Sequence, residues 1–299
     1  MSAREPRLGY IGLGNMGAPM AQRLLDWPGG LVVCDARETA TAPFADKGAS
    51  VAATPADVAA DATVISITVL DDAQVRDVVT GDNGILRTAR PGTVVAVHST
   101  ISDATAVELA ERCRAQQVDL VDAPVSGGAP GAEQGRLAVM VGGSDDAFAT
   151  VKAPFSRFSD LVVHAGPVGA GTRMKLARNL VHFVAFTAAT EAARLAEAAG
   201  LDLRRLGQVV RHSDAVTGGP GAILWRETSA RIELGDPWLP IMSHVRDLGE
   251  KDLSLALSLG DDLGVELPLA HQALRHLAAG LGLTHSAVTA TADTDRSRS

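Results

Sequence analysis

The 299-residue chain is poor in several features that would point to particular classes of protein. It has only two cysteines, Cys34 and Cys113. They follow no metal-ligand spacing, and no disulfide framework can be read from them. Both are expected to fill core space, and no metal site is expected. No basic block interrupts a sequence whose net charge is −8, which argues against nucleic acid as a partner. No apolar run approaches the roughly 20 residues that a membrane helix needs, so no membrane partner is expected. The opening "MSAREPRLGYIG" passes straight into a strand pattern without an apolar segment of signal-peptide type. The expectation is a reducing, cytoplasmic setting. What is present is ordinary for a globular chain: 46% hydrophobic and 21% charged residues. The length is large for a single core and implies about two domains.

The hydrophobic pattern changes character along the chain. Up to about residue 165, short apolar runs at 8–11, 31–35, 63–68, 93–98, 118–122, 137–141 and 161–164 read as strands. Helical stretches at 18–26, 73–79 and 104–114 lie between them. Strands alternating with helices imply a parallel sheet covered on both faces. After "GPVGAGT" (166–172) the strand pattern stops, and helices are expected over 173–199, 202–212, 243–262 and 268–280. The reading is therefore an α/β fold: an N-terminal Rossmann-type parallel sheet domain over 1–165, then an all-α domain over 166–285. The tail at 286–299 has no apolar periodicity and is expected to be disordered.

Three stretches carry chemistry. "LGYIGLGNMGAPMAQRLL" sets Gly12, Gly14 and Gly17 in G-x-G-x-x-G spacing between a strand and a helix. That is the dinucleotide fingerprint: a tight turn, a close approach for the pyrophosphate, and close helix–strand packing with the helix N-terminus facing the phosphates. Leu13, Asn15 and Met16 complete the loop. The second strand ends in Asp35, where a carboxylate can accept hydrogen bonds from ribose hydroxyls and repel a 2′-phosphate. This favours NAD, with NADP possible because Arg37 lies two residues on. The stretch "DAPVSGG" (122–128) puts a hydroxyl and two bare backbone amides at a strand end, where something small and anionic can approach. In "GPVGAGTRMKLARN" a glycine-rich entry opens the long helix, Thr172 is expected to cap it, and Lys175 and Asn179 share one face. Taken alone, a Lys and an Asn on one face are as consistent with a solvated surface.

Taken together, "GLGNMGAPM", "DAPVSGG", "GPVGAGTRMKLARN" and "EKDLSLAL" resemble, in order and spacing, the motifs of the β-hydroxyacid dehydrogenases. That family includes 3-hydroxyisobutyrate dehydrogenase, tartronate semialdehyde reductase and the more distant 6-phosphogluconate dehydrogenase. The likeness runs from residue 7 to about 280. It implies a Rossmann domain, an all-α domain, and oxidation of a small β-hydroxy acid, or reduction of its semialdehyde, with NAD or NADP. It also implies that Ser126, Gly127 and Gly128 hold the substrate carboxylate, that Lys175 is the catalytic acid/base, and that Asn179 orients the substrate. Thr100, Val69, Leu70 and Lys251 would lie beside the cofactor, and a homodimer or homotetramer is expected through the C-terminal helices. The chain departs from the family pattern at Arg178, at His244 and in "HST" (98–100), where members usually read Met-Ser-Thr; Arg178 and His244 bear on substrate choice rather than on reaction class. Two other readings are an imine reductase, which shares the glycine motif, and a catalytically silent dinucleotide-binding scaffold. The presence of "DAPVSGG" and Lys175 weighs against the first, and the presence of Lys175 against the second.

Overall fold

The structure is a computed structural model that describes residues 5–284. The tail expected to be disordered lies outside the described residues. The chain divides into two compact units, one ending at Arg178 and the other starting at Asn179.

The first unit holds β1 (Leu8–Ile11), α1 (Gly17–Gln22), β2 (Leu31–Cys34), α2 (Glu38–Ala45), β3 (Ser50–Val51), α3 (Pro55–Asp61), β4 (Val64–Ile67) and α4 (Asp72–Thr80). It continues with β5 (Val94–Val97), α5 (Asp103–Arg114), β6 (Asp119–Asp122), β7 (Val125–Ser126), α6 (Gly128–Gln134), β8 (Leu137–Gly142), α7 (Asp145–Phe155) and β9 (Ser159–Gly166). The strands form one nine-stranded sheet in the order β3-β2-β1-β4-β5-β6-β8-β7, with β9 paired to β8. Central strands such as "VISI" and "VVAV" are buried along their whole length. Their alternate residues feed two cores. Leu8, Tyr10, Val94 and Ala96 pack on one face of the sheet. Ile11, Ile65, Val95 and Val97 pack on the other, together with Cys34 and Cys113. Burial on both faces is what a parallel sheet flanked by helices requires.

The sheet is parallel-dominated rather than wholly parallel. Strand β8 runs antiparallel to β6 and β7, and β9 then runs parallel to β8. Two residues of β7 and one short helix separate β6 from β8, so the chain doubles back there instead of crossing over. The two-residue strands β3 and β7 were not expected from the pattern, because two residues carry no periodicity. Several helices of this unit start on a local side-chain cap: Thr54 with Asp57 on α3, Asp71 on α4, Ser102 on α5 and Ser144 on α7.

A long helix, α8 (Ala170–Ala198), begins in the first unit and continues into the second. The second unit adds α9 (Leu203–Thr217), α10 (Leu239–Leu263) and α11 (Pro268–Gly280). Asp202 caps α9. Glu191, buried on α8, accepts the backbone N–H groups of Leu269 and Ala270 at 2.8 and 2.9 Å and so holds the start of α11. No helix among the described residues is long and apolar enough to cross a membrane.

Candidate active site

The glycine loop joins β1 to α1 as the spacing requires. Gly12 has φ +92°, and a Cβ there would come within 2.1 Å of the Thr68 carbonyl oxygen. A Cβ on Gly17 would come within 1.9 Å of the Gly12 oxygen, so any side chain would push α1 off the strand. Gly14 differs from both, because a Cβ there would meet nothing within 4 Å. Its open side belongs to a cleft of about 340 Å³ lined by Leu13, Gly14, Asn15, Arg37 and Glu133 among others. A strand, a loop with an open backbone face, a helix N-terminus and a carboxylate at the end of β2 fit a dinucleotide pyrophosphate and ribose.

Asp35 sits as that fingerprint requires, with its side chain 8% exposed. One carboxylate oxygen accepts the Leu13 N–H at 2.6 Å. The other accepts the backbone N–H and the guanidinium Nε of Arg37, at 2.9 and 3.1 Å. Burial pushes its pKa up, but these hydrogen bonds and the Arg37 charge outweigh it, and the carboxyl lies below the usual carboxylate range. The Arg37 guanidinium therefore faces the cleft while tied to Asp35.

A second group of residues lines the C-terminal edge of the strands. Ser99 is buried; its hydroxyl donates to the Val69 carbonyl at 2.7 Å and accepts the Val69 N–H at 2.9 Å. It thereby fixes the Val69–Leu70 segment, where Leu70 is 80% exposed. Thr100, next in sequence, is exposed. Ser99, which is not among the residues the family resemblance implies, is thus the one that holds the Val69–Leu70 segment beside Thr100. Its place between His98 and Thr100 is the only sign of it in the sequence. His98 is buried beneath them. Its Nδ1 bonds the Ala123 carbonyl at 2.7 Å and its Nε2 the Ser66 hydroxyl at 3.1 Å, joining the ends of three strands. Burial lowers its pKa to about 4, so the ring is neutral.

Ser126 closes β7, half-buried, paired with Ala138 of β8. Gly127 and Gly128 follow with φ +132° and +67°, both exposed, and lead into α6. On α8, Lys175 is buried, at 9% exposure. Burial lowers its pKa below the ordinary lysine value, and the positive charge of Arg178 lowers it further. Asn179 lies one turn on in the same helix, half-buried. Thr172 does not cap that helix. It lies inside the first turn, and its N–H donates to Asp122, far away in sequence. Lys251, on α10, is 60% exposed and pairs with Asp252 at 3.1 Å. A larger cavity of about 460 Å³ lies at the turn between α10 and α11; Leu257, the last residue of "EKDLSLAL", lines it, but none of the candidate site residues does.

Residues 7–166 match the family model of the NAD-binding domain of 6-phosphogluconate dehydrogenase. Residues 169–293 match that of the NAD-binding region of NADP-dependent 3-hydroxyisobutyrate dehydrogenase. With the glycine loop and the cleft above it, these matches define an NAD(P)-dependent oxidoreductase with a Rossmann-type domain. The chain belongs to the β-hydroxyacid dehydrogenase family. It is 63% identical over 280 residues to an uncharacterized oxidoreductase of Mycobacterium tuberculosis, covering 94% of this chain and 95% of the relative. It is 31% identical over 274 residues to 2-(hydroxymethyl)glutarate dehydrogenase of Eubacterium barkeri, covering 92% and 89%. Among solved structures it is similar to a candidate oxidoreductase from Mycobacterium avium 104, with TM-score 0.89 and 56% identity over 94% of this chain and 100% of that one. It is also similar to a 3-hydroxyisobutyrate dehydrogenase of Mycobacterium tuberculosis crystallised with L-serine, with TM-score 0.65 and 30% identity over 96% and 98%. An imine reductase from Myxococcus stipitatus, 20% identical with TM-score 0.72 over 91% of this chain and 92% of that one, shares the fold.

Proposed function

We propose that the protein oxidises a small β-hydroxy acid of the 3-hydroxyisobutyrate type, or reduces the corresponding semialdehyde, with Lys175 as the proton-transfer group. One observation carries this reading: the only lysine among the motif residues on α8 is buried and its pKa lies below the ordinary range. A solvated surface lysine has neither property. The relatives that act on 3-hydroxyisobutyrate and 2-(hydroxymethyl)glutarate support an acid as substrate.

In this reading Gly12 to Gly17 and Asp35 hold the dinucleotide, and Val69, Leu70, Thr100 and Lys251 flank it. When bound, the nicotinamide supplies the hydride acceptor or donor. Ser126 and the amides of Gly127 and Gly128 hold the substrate carboxylate, and Asn179 orients the hydroxyl. In oxidation, neutral Lys175 takes the hydroxyl proton at Nζ. In reduction, the ammonium donates a proton to the carbonyl oxygen. Lowering the pKa of Lys175 raises the neutral fraction near neutral pH, which serves the oxidising direction. The Asp35 carboxylate favours NAD, and Arg37 at the cleft keeps NADP within reach. Exposed Leu180, Phe183 and Phe186 on α8 support assembly into a homodimer or homotetramer.

The test is Lys175→Ala, assayed against a panel of small hydroxy acids with both cofactors. Turnover should fall by about 10²–10⁴-fold while cofactor affinity stays near normal. Lys175→Arg should not restore it, because a guanidinium stays charged at any working pH. Near-wild-type turnover in a folded Ala variant would remove Lys175 from the mechanism and return the imine-reductase and scaffold readings to consideration.

A further inference from the structure

Asp122 opens the "DAPVSGG" stretch, yet the substrate reading gives it no task. It is fully buried, at the C-terminal end of β6. Its Oδ1 accepts the Gly169 N–H at 2.7 Å and its Oδ2 the Thr172 N–H at 2.6 Å. Those are two of the donors that the start of a helix leaves without an internal partner. The carboxylate therefore caps α8 from 47 and 50 residues away. Burial raises its pKa above the ordinary carboxylate value, although the bonds from Gly169 and Thr172 pull against that rise. The positive end of the 29-residue helix acts on the side of the ionised form too, against the effect of burial.

A local cap would be enough to start a helix, and Thr54, Asp71, Ser102, Ser144 and Asp202 each do this for their own. A cap borrowed from a strand also fixes where the helix stands. The packing around it leaves no slack. A Cβ on Gly171 would come within 2.3 Å of the Met140 oxygen and 2.5 Å of the Asp122 oxygen. A Cβ on Gly142 would come within 2.3 Å of Asp122 Oδ1 and 2.8 Å of the Gly171 nitrogen. Backbone thus lies directly on backbone, with the Asp122 carboxylate between. Lys175 follows Thr172 by three residues on the same helical face, and Ser126 follows Asp122 by four along the chain.

We propose that Asp122 is a positioning residue: by clamping the first turn of α8 to the end of β6, it sets Lys175 at a fixed place relative to the Ser126–Gly128 segment. This rests on the reading of Lys175 as the proton-transfer group, and the experiment separates the two. The chain has only four lysines, Lys47, Lys152, Lys175 and Lys251. Reductive methylation with ¹³C-formaldehyde makes each visible by NMR with its charge kept, and Lys→Arg variants assign the signals. In Asp122→Asn one hydrogen-bond acceptor becomes a donor facing an amide, and the first turn of α8 loosens. The Lys175 titration should then move up toward that of an ordinary lysine while the other three stay put. Oxidation of the hydroxy acid should slow by about 10- to 100-fold, the scale of an ångström-sized misplacement. Its pH profile should shift upward with the titration, and the KM for NAD should change little.

A lower melting temperature with the Lys175 titration and pH profile unchanged would reduce Asp122 to a structural cap and overturn the proposal. A titration that moves while the pH profile of turnover does not would refute the proton-transfer role of Lys175 and leave positioning by Asp122 standing. Should Asp122→Asn not fold, amide exchange in the wild type decides: Gly169 and Thr172 must be among the slowest amides, and fast exchange at both overturns the clamp.

Discussion

Protonation of His98 should make the fold acid-labile in a way that one substitution removes. The ring is fully enclosed, between the Ala123 carbonyl and the Ser66 hydroxyl, with Tyr10, Phe155 and Phe158 around it. Its pKa falls to about 4 in the folded protein, against about 6.5 in an unfolded chain. The folded-state value is depressed, so the stability contributed by the neutral ring is complete above about pH 6.5. As pH falls from there toward 4, the unfolded chain binds a proton that the native state refuses. At pH 5 the loss relative to pH 7 amounts to about 2 kcal/mol, and below pH 4 it approaches about 3 kcal/mol, from 1.36 kcal/mol per pKa unit. The assay is urea unfolding of the wild type and of His98→Met at pH 7, 6 and 5. Carboxylates that titrate in both proteins cancel in the difference. The variant loses the ring's hydrogen bonds at every pH, so its offset at pH 7 is not the test. What matters is that the wild type loses about 2 kcal/mol more than the variant between pH 7 and pH 5. Parallel curves would refute the reasoning and mean that the ring accepts a proton without strain. The consequence bears on function, because Ser99 and Thr100 follow His98 directly and Ser99 holds the Val69 segment.

Three further outcomes are expected from the candidate site. Asp35→Asn should narrow the gap in kcat/KM between NAD and NADP, and Arg37→Ala should widen it by weakening NADP; a wild-type preference for NADP would show that Arg37 outweighs Asp35. Ser126→Ala should raise KM for acids roughly tenfold or more, since a hydrogen bond to a charged group is worth about 1.5–3 kcal/mol, and should leave cofactor KM alone; an unchanged KM for acids places the carboxylate elsewhere. Arg178→Ala removes a charge that depresses the Lys175 pKa, so the rise of oxidation rate with pH should move to higher pH, and a profile that stays in place would count against Lys175 as the titrating group.

The α/β class, the helical C-terminal half and the dinucleotide loop were legible in the sequence because each rests on local information. Strands such as "VISI" announce themselves by short runs rich in Val and Ile, and G-x-G-x-x-G between a strand and a helix leaves few other conformations to the backbone. Family motifs then put names to Lys175, Asn179 and Ser126, and neither periodicity nor spacing would have done so. The tertiary structure decided what depends on partners distant in the chain. It reversed β8, because two residues of β7 and a short helix make a return path that carries no periodic signal. It tied Arg37 to Asp35, where the sequence had left Arg37 free to turn toward a phosphate. It also moved the capping of α8 from Thr172 to Asp122, which no local reading could find. A helix cap needs only an acceptor at hydrogen-bond distance from two amides, and a folded sheet can bring one from 50 residues away as readily as the neighbouring residue can offer its own.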